Sequence, residues 1–144
     1  MHSVKKSVLL WYSAQAMYDL VVDVPSYPQF LPWCSTAAVE ELSDKGMRAT
    51  LGIDYLGVKQ QFTTSNRHER GRLIQLTLER GPFSALEGEW KFMPLKDDAC
   101  KVEFTLDYSF SNILLERVVG PVFETIASTF IDAFVKRAEE VYGG

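Results

Sequence analysis

Two cysteines and two histidines are the side chains best suited here to covalent or metal chemistry. Cys34 closes the stretch YPQFLPWC, residues 27–34, which holds three aromatics, a leucine, two prolines and no charge. A thiol nucleophile needs an imidazole within hydrogen-bond reach and a third group to orient that imidazole. His2 stands at the N-terminus and His68 within VKQQFTTSNRHER, residues 58–70, and no spacing ties either one to Cys34. Cys34 therefore reads as a small buried residue. Without a CxxC or HxxxH pattern no metal site is expected. Glu40-Glu41, Asp97-Asp98 and Glu139-Glu140 fall at turns, strand ends or an exposed helix end, where solvation explains paired carboxylates better than acid–base work. No catalytic residue is assigned.

Residues 58–70 carry a different kind of chemistry. Gln60, Phe62, Thr64, Asn66 and His68 alternate onto one face of a strand, and Lys59, Gln61, Thr63, Ser65 and Arg67 onto the other. If Phe62 points inward, amides and hydroxyls go with it and need partners. Either this strand lies at a solvated mouth, or these groups bond the polar head of a ligand. Arg67, Arg70, Arg72 and Arg80 are expected to cluster around the Gly71 turn, as a basic patch for RNA phosphates or lipid head groups, or as a charged edge that blocks strand pairing.

The elements that must position these groups follow from periodicity. Residues 4–12 read as a strand, and AQAMYDLVVDV as a short helix with Ser13 as N-cap. Pro25, Pro28 and Pro32 then break the chain into turns or one short helical piece. From about 36 to 110 the pattern has period two. Met47, Ala49, Leu51, Ile53 and Tyr55 share a face, as do Cys100, Val102, Phe104, Leu106, Tyr108 and Phe110, giving about six antiparallel strands with turns at Asp44–Gly46, Gly57, Gly71, Gly81-Pro82 and Asp97-Asp98. After Ser111-Asn112 a long helix presents one stripe, Leu115, Val118, Val119, Val122, Phe123, Ile126, Phe130, Ile131, Phe134 and Ala138, interrupted by Gly120-Pro121, where a kink or a fresh start is expected. This order predicts an α+β helix-grip fold, a curved antiparallel sheet of about seven strands around a long C-terminal helix, as one domain over 1–144. The gap between sheet and helix is a natural apolar ligand site.

Composition narrows the classes. The chain has 144 residues, 47% of them hydrophobic and 24% charged, with a net charge of −4. A negative balance argues against broad attachment to DNA or to anionic membranes. Two scattered cysteines and no cleavable leader pattern point to a reduced cytoplasmic protein. No spanning segment is expected, so membrane contact is at most peripheral, at the inner membrane.

Several blocks in order, DVPSYPQFLPWC, GVKQQFTT, GPFSALEGEWKFMPL, VEFTLDYSFSN and GPVFETIASTFIDAFVKRAEEVYG, resemble the coenzyme Q-binding START-type family and its bacterial ribosome-association toxin branch. The resemblance runs from the first strand to the C-terminus. It implies a helix-grip fold without catalytic residues or a cofactor, and two activities. One is binding of ubiquinone or a related isoprenoid lipid, in support of respiration; the other is binding of the large ribosomal subunit, blocking subunit joining. A polyketide cyclase-like enzyme is a distant third. Carried over by position, Tyr27, Pro28, Phe30, Leu31, Pro32 and Trp33 match a motif at the cavity mouth, a stiff aromatic lid. Phe62, Trp90, Phe92, Phe123, Phe130 and Phe134 match positions that line or back the cavity. Arg67, Arg70 and Arg72 are the edge through which the ribosome would be met.

Overall fold

The computed structural model describes residues 1–143. In chain order it contains β1 (His2–Leu10), α1 (Ala14–Val22), a 3-10 helix (Val24–Gln29), β2 (Cys34–Ser43), β3 (Gly46–Tyr55), β4 (Val58–Glu69), β5 (Leu73–Arg80), β6 (Phe83–Lys96), β7 (Ala99–Phe110) and α2 (Ile113–Tyr142). The strands form one curved sheet in the order β1-β7-β6-β5-β4-β3-β2, and every neighbouring pair is antiparallel. Strands β2 to β7 thus follow one another as hairpins, while β1 closes the far side against β7. The helix α2 lies on the inner face, in contact with β7, β1, β4 and α1. This is the helix-grip arrangement expected from the alternation.

Local chemistry sets the element ends. The Ala16 N–H donates to Ser13 Oγ at 3.0 Å, capping α1, and the Leu115 N–H donates to Asn112 Oδ1 at 2.9 Å, capping α2. Strand β1 starts two residues earlier than the β-formers suggested and stops at Leu10, which leaves Trp11 and Tyr12 outside the ladder in the approach to the Ser13 cap. Between β5 and β6, Gly81 adopts φ +154°, and a Cβ there would come within 2.7 Å of Phe62 Cβ. Only glycine lets this turn close against Phe62.

Three expectations about α2 need correction. Pro121 lies inside one continuous helix, so no fresh start occurs. The Arg117 carbonyl loses its usual N–H donor, but Val119, Val122 and Phe123 are buried on either side and hold both turns onto the sheet. Val118 is 56% exposed and leaves the buried stripe. It shares a helical row with Leu114, Pro121 and Thr125, all exposed, whereas Val119, Val122 and Ile126 face inward. Finally, α2 is long and apolar enough, by length and composition alone, to cross a membrane. Here it is the core helix of the grip, with Phe134 and Ala138 fully enclosed.

The largest enclosed side chains are Trp90, Tyr108, Phe92 and Phe134. Trp90 stacks on Phe92 at a centroid distance of 6.1 Å and meets the edge of Phe134 at 5.2 Å. Offset and edge-on pairs of this kind add roughly 0.5–1.5 kcal/mol each beyond area burial. They make this wall of the sheet rigid.

Candidate functional site: an apolar cavity behind Trp33

Between the inner face of the sheet and α2 lies a cavity of about 70 Å³. Strand alternation supplies its floor, through Met47, Ala49 and Leu51 of β3, Phe62 of β4, Ile74 and Leu76 of β5, Leu86 and Trp90 of β6, and Phe104 and Leu106 of β7. The roof is Phe123, Ile126, Ala127 and Phe130 on successive turns of α2. Val21, Val24, Tyr27 and Trp33 close the side nearest the proline-rich connector.

The connector is stiff and well anchored. Pro25 stands in the first turn of the 3-10 helix and Pro28 lies within it. The buried Tyr27 hydroxyl donates to the Val21 carbonyl at 2.5 Å, and its ring packs edge-on against Phe30, Phe130 and Phe134. Burial raises the Tyr27 phenol well above its ordinary pKa, so it stays a neutral donor. Trp33 tilts against Phe130 at 5.8 Å.

Outside this wall runs a surface groove of about 530 Å³, lined by Gln29, Phe30, Pro32 and Tyr55 on one bank and Thr125, Thr129, Asp132 and Lys136 on the other. Trp33 and Ile126 line both the groove and the cavity. Trp33 and Ile126 thus form a shared partition between buried apolar space and a surface channel of mixed polar and apolar lining.

Of the residues singled out by resemblance, Tyr27, Trp33, Phe62, Trp90, Phe123 and Phe130 line the cavity. Phe92 and Phe134 back it through Trp90. Leu31, within the connector, is buried and does not line the cavity, and Phe30 lies on the groove with the Arg137 guanidinium 5.0 Å over its ring. Sequence reasoning missed Met47, Leu86, Phe104 and Ile126 as wall residues. Their periodicity was visible, but a period assigns a face and not a depth along it.

The polar face of β4 points inward. Thr64, Asn66 and His68 are all buried, and Thr64 and Asn66 line the cavity. A solvated mouth does not describe them. The Thr64 hydroxyl donates to Asn66 Oδ1 at 2.7 Å. His68 Nε2 is enclosed without a hydrogen-bond partner, the ring lies edge-on to Tyr18, and burial pushes its pKa below the usual histidine value.

Cys34 is buried, its thiol donates to the Thr36 carbonyl at 3.3 Å, and burial pushes its pKa up to about 11. A thiol protonated at neutral pH is a poor nucleophile. Among the described residues no cluster of three His, Cys, Asp or Glu could hold a metal ion.

The basic edge is smaller than expected. Arg67 contacts Gln75 and Glu69, and Arg72 approaches the same Glu69 at 4.0 Å, so one carboxylate offsets part of the charge. Arg80 is at the opposite end of β5, paired with Thr63, and does not belong to the cluster. Exposed Arg67, Arg70 and Arg72 remain at the β4–β5 turn.

Residues 10–135 match the family model described as polyketide cyclase/dehydrase and lipid transport. The chain belongs to that family. Within it, the chain is 43% identical to a ribosome association toxin RatA from Pseudomonas aeruginosa over 97% of each chain. It is also 43% identical to a persistence and stress-resistance toxin PasT from Escherichia coli, over 99% of this chain and 90% of that one. A mitochondrial coenzyme Q-binding protein COQ10 homolog B from Xenopus laevis is 27% identical, over 96% of this chain and 58% of its own length. Among solved structures, the Zhui aromatase/cyclase from Streptomyces shares the fold at a TM-score of 0.79 and 18% identity, over 99% and 98% of the two chains. An 18 kDa protein from Caulobacter crescentus superimposes at 0.76 with 28% identity over the full length of both. Family membership fixes the fold, and the family's description names both cyclase/dehydrase and lipid transport.

Proposed function

We propose that this chain binds, without transforming it, a hydrophobic small molecule, ubiquinone or a related isoprenoid lipid, between its sheet and α2. In this reading it works in the cytoplasm, meets the inner membrane only peripherally, and serves respiratory quinone handling. The observation that carries the reading is the apolar cavity that meets a surface groove at a shared partition, Trp33 and Ile126. The coenzyme Q-binding relative adds support. A protonated Cys34 and the lack of a metal cluster among the described residues favour binding over catalysis.

Solvent extraction of the purified protein, with mass spectrometry of the extract, identifies the cargo. Calorimetric titration with a short-chain ubiquinone then tests the partition. Trp33→Ala loses the ring's contact with the ligand, and affinity falls about 30- to 150-fold if the ring is fully covered. Trp33→Leu, a smaller truncation, serves if the alanine variant unfolds. Equal affinities in folded variants overturn the role of Trp33, and failure of the wild type to bind any quinone or isoprenoid overturns the reading.

A second reading rests on the relatives named as ribosome association toxins, 42–43% identical over nearly the whole chain. Here the chain docks on the large ribosomal subunit through Arg67, Arg70 and Arg72. Phosphate contacts weaken steeply with salt. Arg67→Glu with Arg70→Glu is expected to abolish co-sedimentation with large subunits and leave quinone binding intact; unchanged co-sedimentation removes this edge from the reading.

A further inference from the structure

The cavity wall has one polar feature built into it. Thr64 and Asn66 line it side by side on β4, and both are nearly free of solvent, with Asn66 only 7% exposed. The Thr64 hydroxyl hydrogen is engaged by Asn66 Oδ1. That bond engages the amide oxygen and leaves the two N–H groups of Asn66 Nδ2 as the donors this residue brings to the cavity wall. A donor set in an otherwise apolar wall favours a ligand that accepts from it over one that cannot. His68, two residues further on the same inward face, has an enclosed, unpartnered Nε2 but does not line the cavity.

Position along the strands orients a ligand. Asn66 pairs with Met47 at one end of β3, whereas the Asp54 N–H, at the other end, donates to the Trp33 carbonyl at 3.0 Å. Those two points lie seven residues apart along β3. The amide and the partition thus stand at opposite ends of the site.

We propose that Asn66, held by Thr64, is the polar anchor of the cavity, so that it selects an apolar molecule with a hydrogen-bond-accepting oxygen at its leading end. A quinone carbonyl has this chemistry and a pure hydrocarbon does not. The ligand enters past Trp33 and Ile126 with its oxygenated end first and leaves its chain trailing toward the groove. This rests on the binding function proposed above and adds to it the class and the direction of the ligand.

The test compares ubiquinone bearing two isoprene units with farnesene, an isoprenoid hydrocarbon without oxygen, on wild type and Asn66→Leu. Leucine keeps the bulk and removes the donors. Wild type is expected to prefer the quinone at least tenfold, and Asn66→Leu to lose about 10- to 100-fold in quinone affinity while holding farnesene unchanged. Infrared spectra of wild type with carbonyl-labelled quinone give a readout independent of any variant: the carbonyl band shifts down when it accepts from the amide. Equal affinity of wild type for quinone and farnesene, a preference that survives in Asn66→Leu, or an unshifted carbonyl band each overturns the anchor, and a water on Asn66 is then its partner. Wild type that binds both probes equally keeps the cavity function and loses only the anchor. Wild type that binds neither removes both.

Discussion

His68 carries the plainest residue-scale consequence. Burial disfavours its charged form, so its folded pKa lies below the unfolded value near 6.5. Below that pH the unfolded chain binds a proton that the folded chain refuses, and stability falls as pH falls, by up to about 1.4 kcal/mol per pH unit. Denaturant midpoints between pH 7 and pH 5 should drop more steeply for wild type than for His68→Gln. Cys34 gives the opposite kind of result. With its thiol protonated at neutral pH and enclosed, iodoacetamide at pH 7.5 should label it only after unfolding, and Cys34→Ser should bind quinone within a few-fold of wild type. Mass spectrometry and calorimetry read these two outcomes. At this scale the sequence was legible in kind and not in depth. Phe62 drawing Thr64, Asn66 and His68 inward could be read from period two, but whether Phe92 and Phe134 touch the ligand space or stand behind Trp90 depends on ring positions across three elements. Arg80 was misplaced because proximity in sequence to Gly71 stood in for the length of β5.

Helix α2 raises the question of why a core element keeps Gly120-Pro121 at its exposed edge. Glycine costs about 1 kcal/mol and proline about 3 kcal/mol relative to alanine in a helix interior. A Cβ at position 120 would meet Phe110 at 3.7 Å and Glu116 at 3.9 Å, ordinary contact distances. Gly120→Ala with Pro121→Ala should therefore raise the melting temperature by several degrees, corresponding to about 1–3 kcal/mol. The pair lies one turn from Phe123, a roof residue of the cavity, so the stiffened helix should also take up quinone more slowly. A thermal scan and a stopped-flow trace on the same variant test both halves, and unchanged stability would mean that the helix is not weakened here. Elements were the most legible level. Six inward residues alternate along β7 and are all buried, and Ser13 and Asn112 cap the helices as their types suggest. Only the fresh start at Pro121, one of the two outcomes the sequence left open, is overturned, because packing against the sheet holds the helix continuous where the local backbone would favour a break.

For the molecule as a whole, cavity size is decisive. About 70 Å³ is roughly half of the 150 Å³ known to hold benzene in an engineered cavity, so a substituted quinone ring would fit only if the walls part. Uptake should be gated: the observed rate, followed by quenching of Trp33 and Trp90, should level off with quinone concentration at a value set by opening of the partition. A rate that rises linearly to the solubility limit would mean that the space is already open. The overall architecture was legible from the order of elements, since six consecutive hairpin strands and one long amphipathic helix leave few ways to bury both. That order also has a consequence for how the chain comes to be folded. Strands β2 to β6 each pair with the strand that follows, and can zip up as they leave the ribosome. His2 has to find Tyr108, more than a hundred residues away, and loop closure over that length precedes any reward from the contact. The first strand of this sheet is therefore the last to be seated, and until β7 emerges its ladder groups, with those of the growing sheet's free edge, stand open to chaperones or to another copy of the chain.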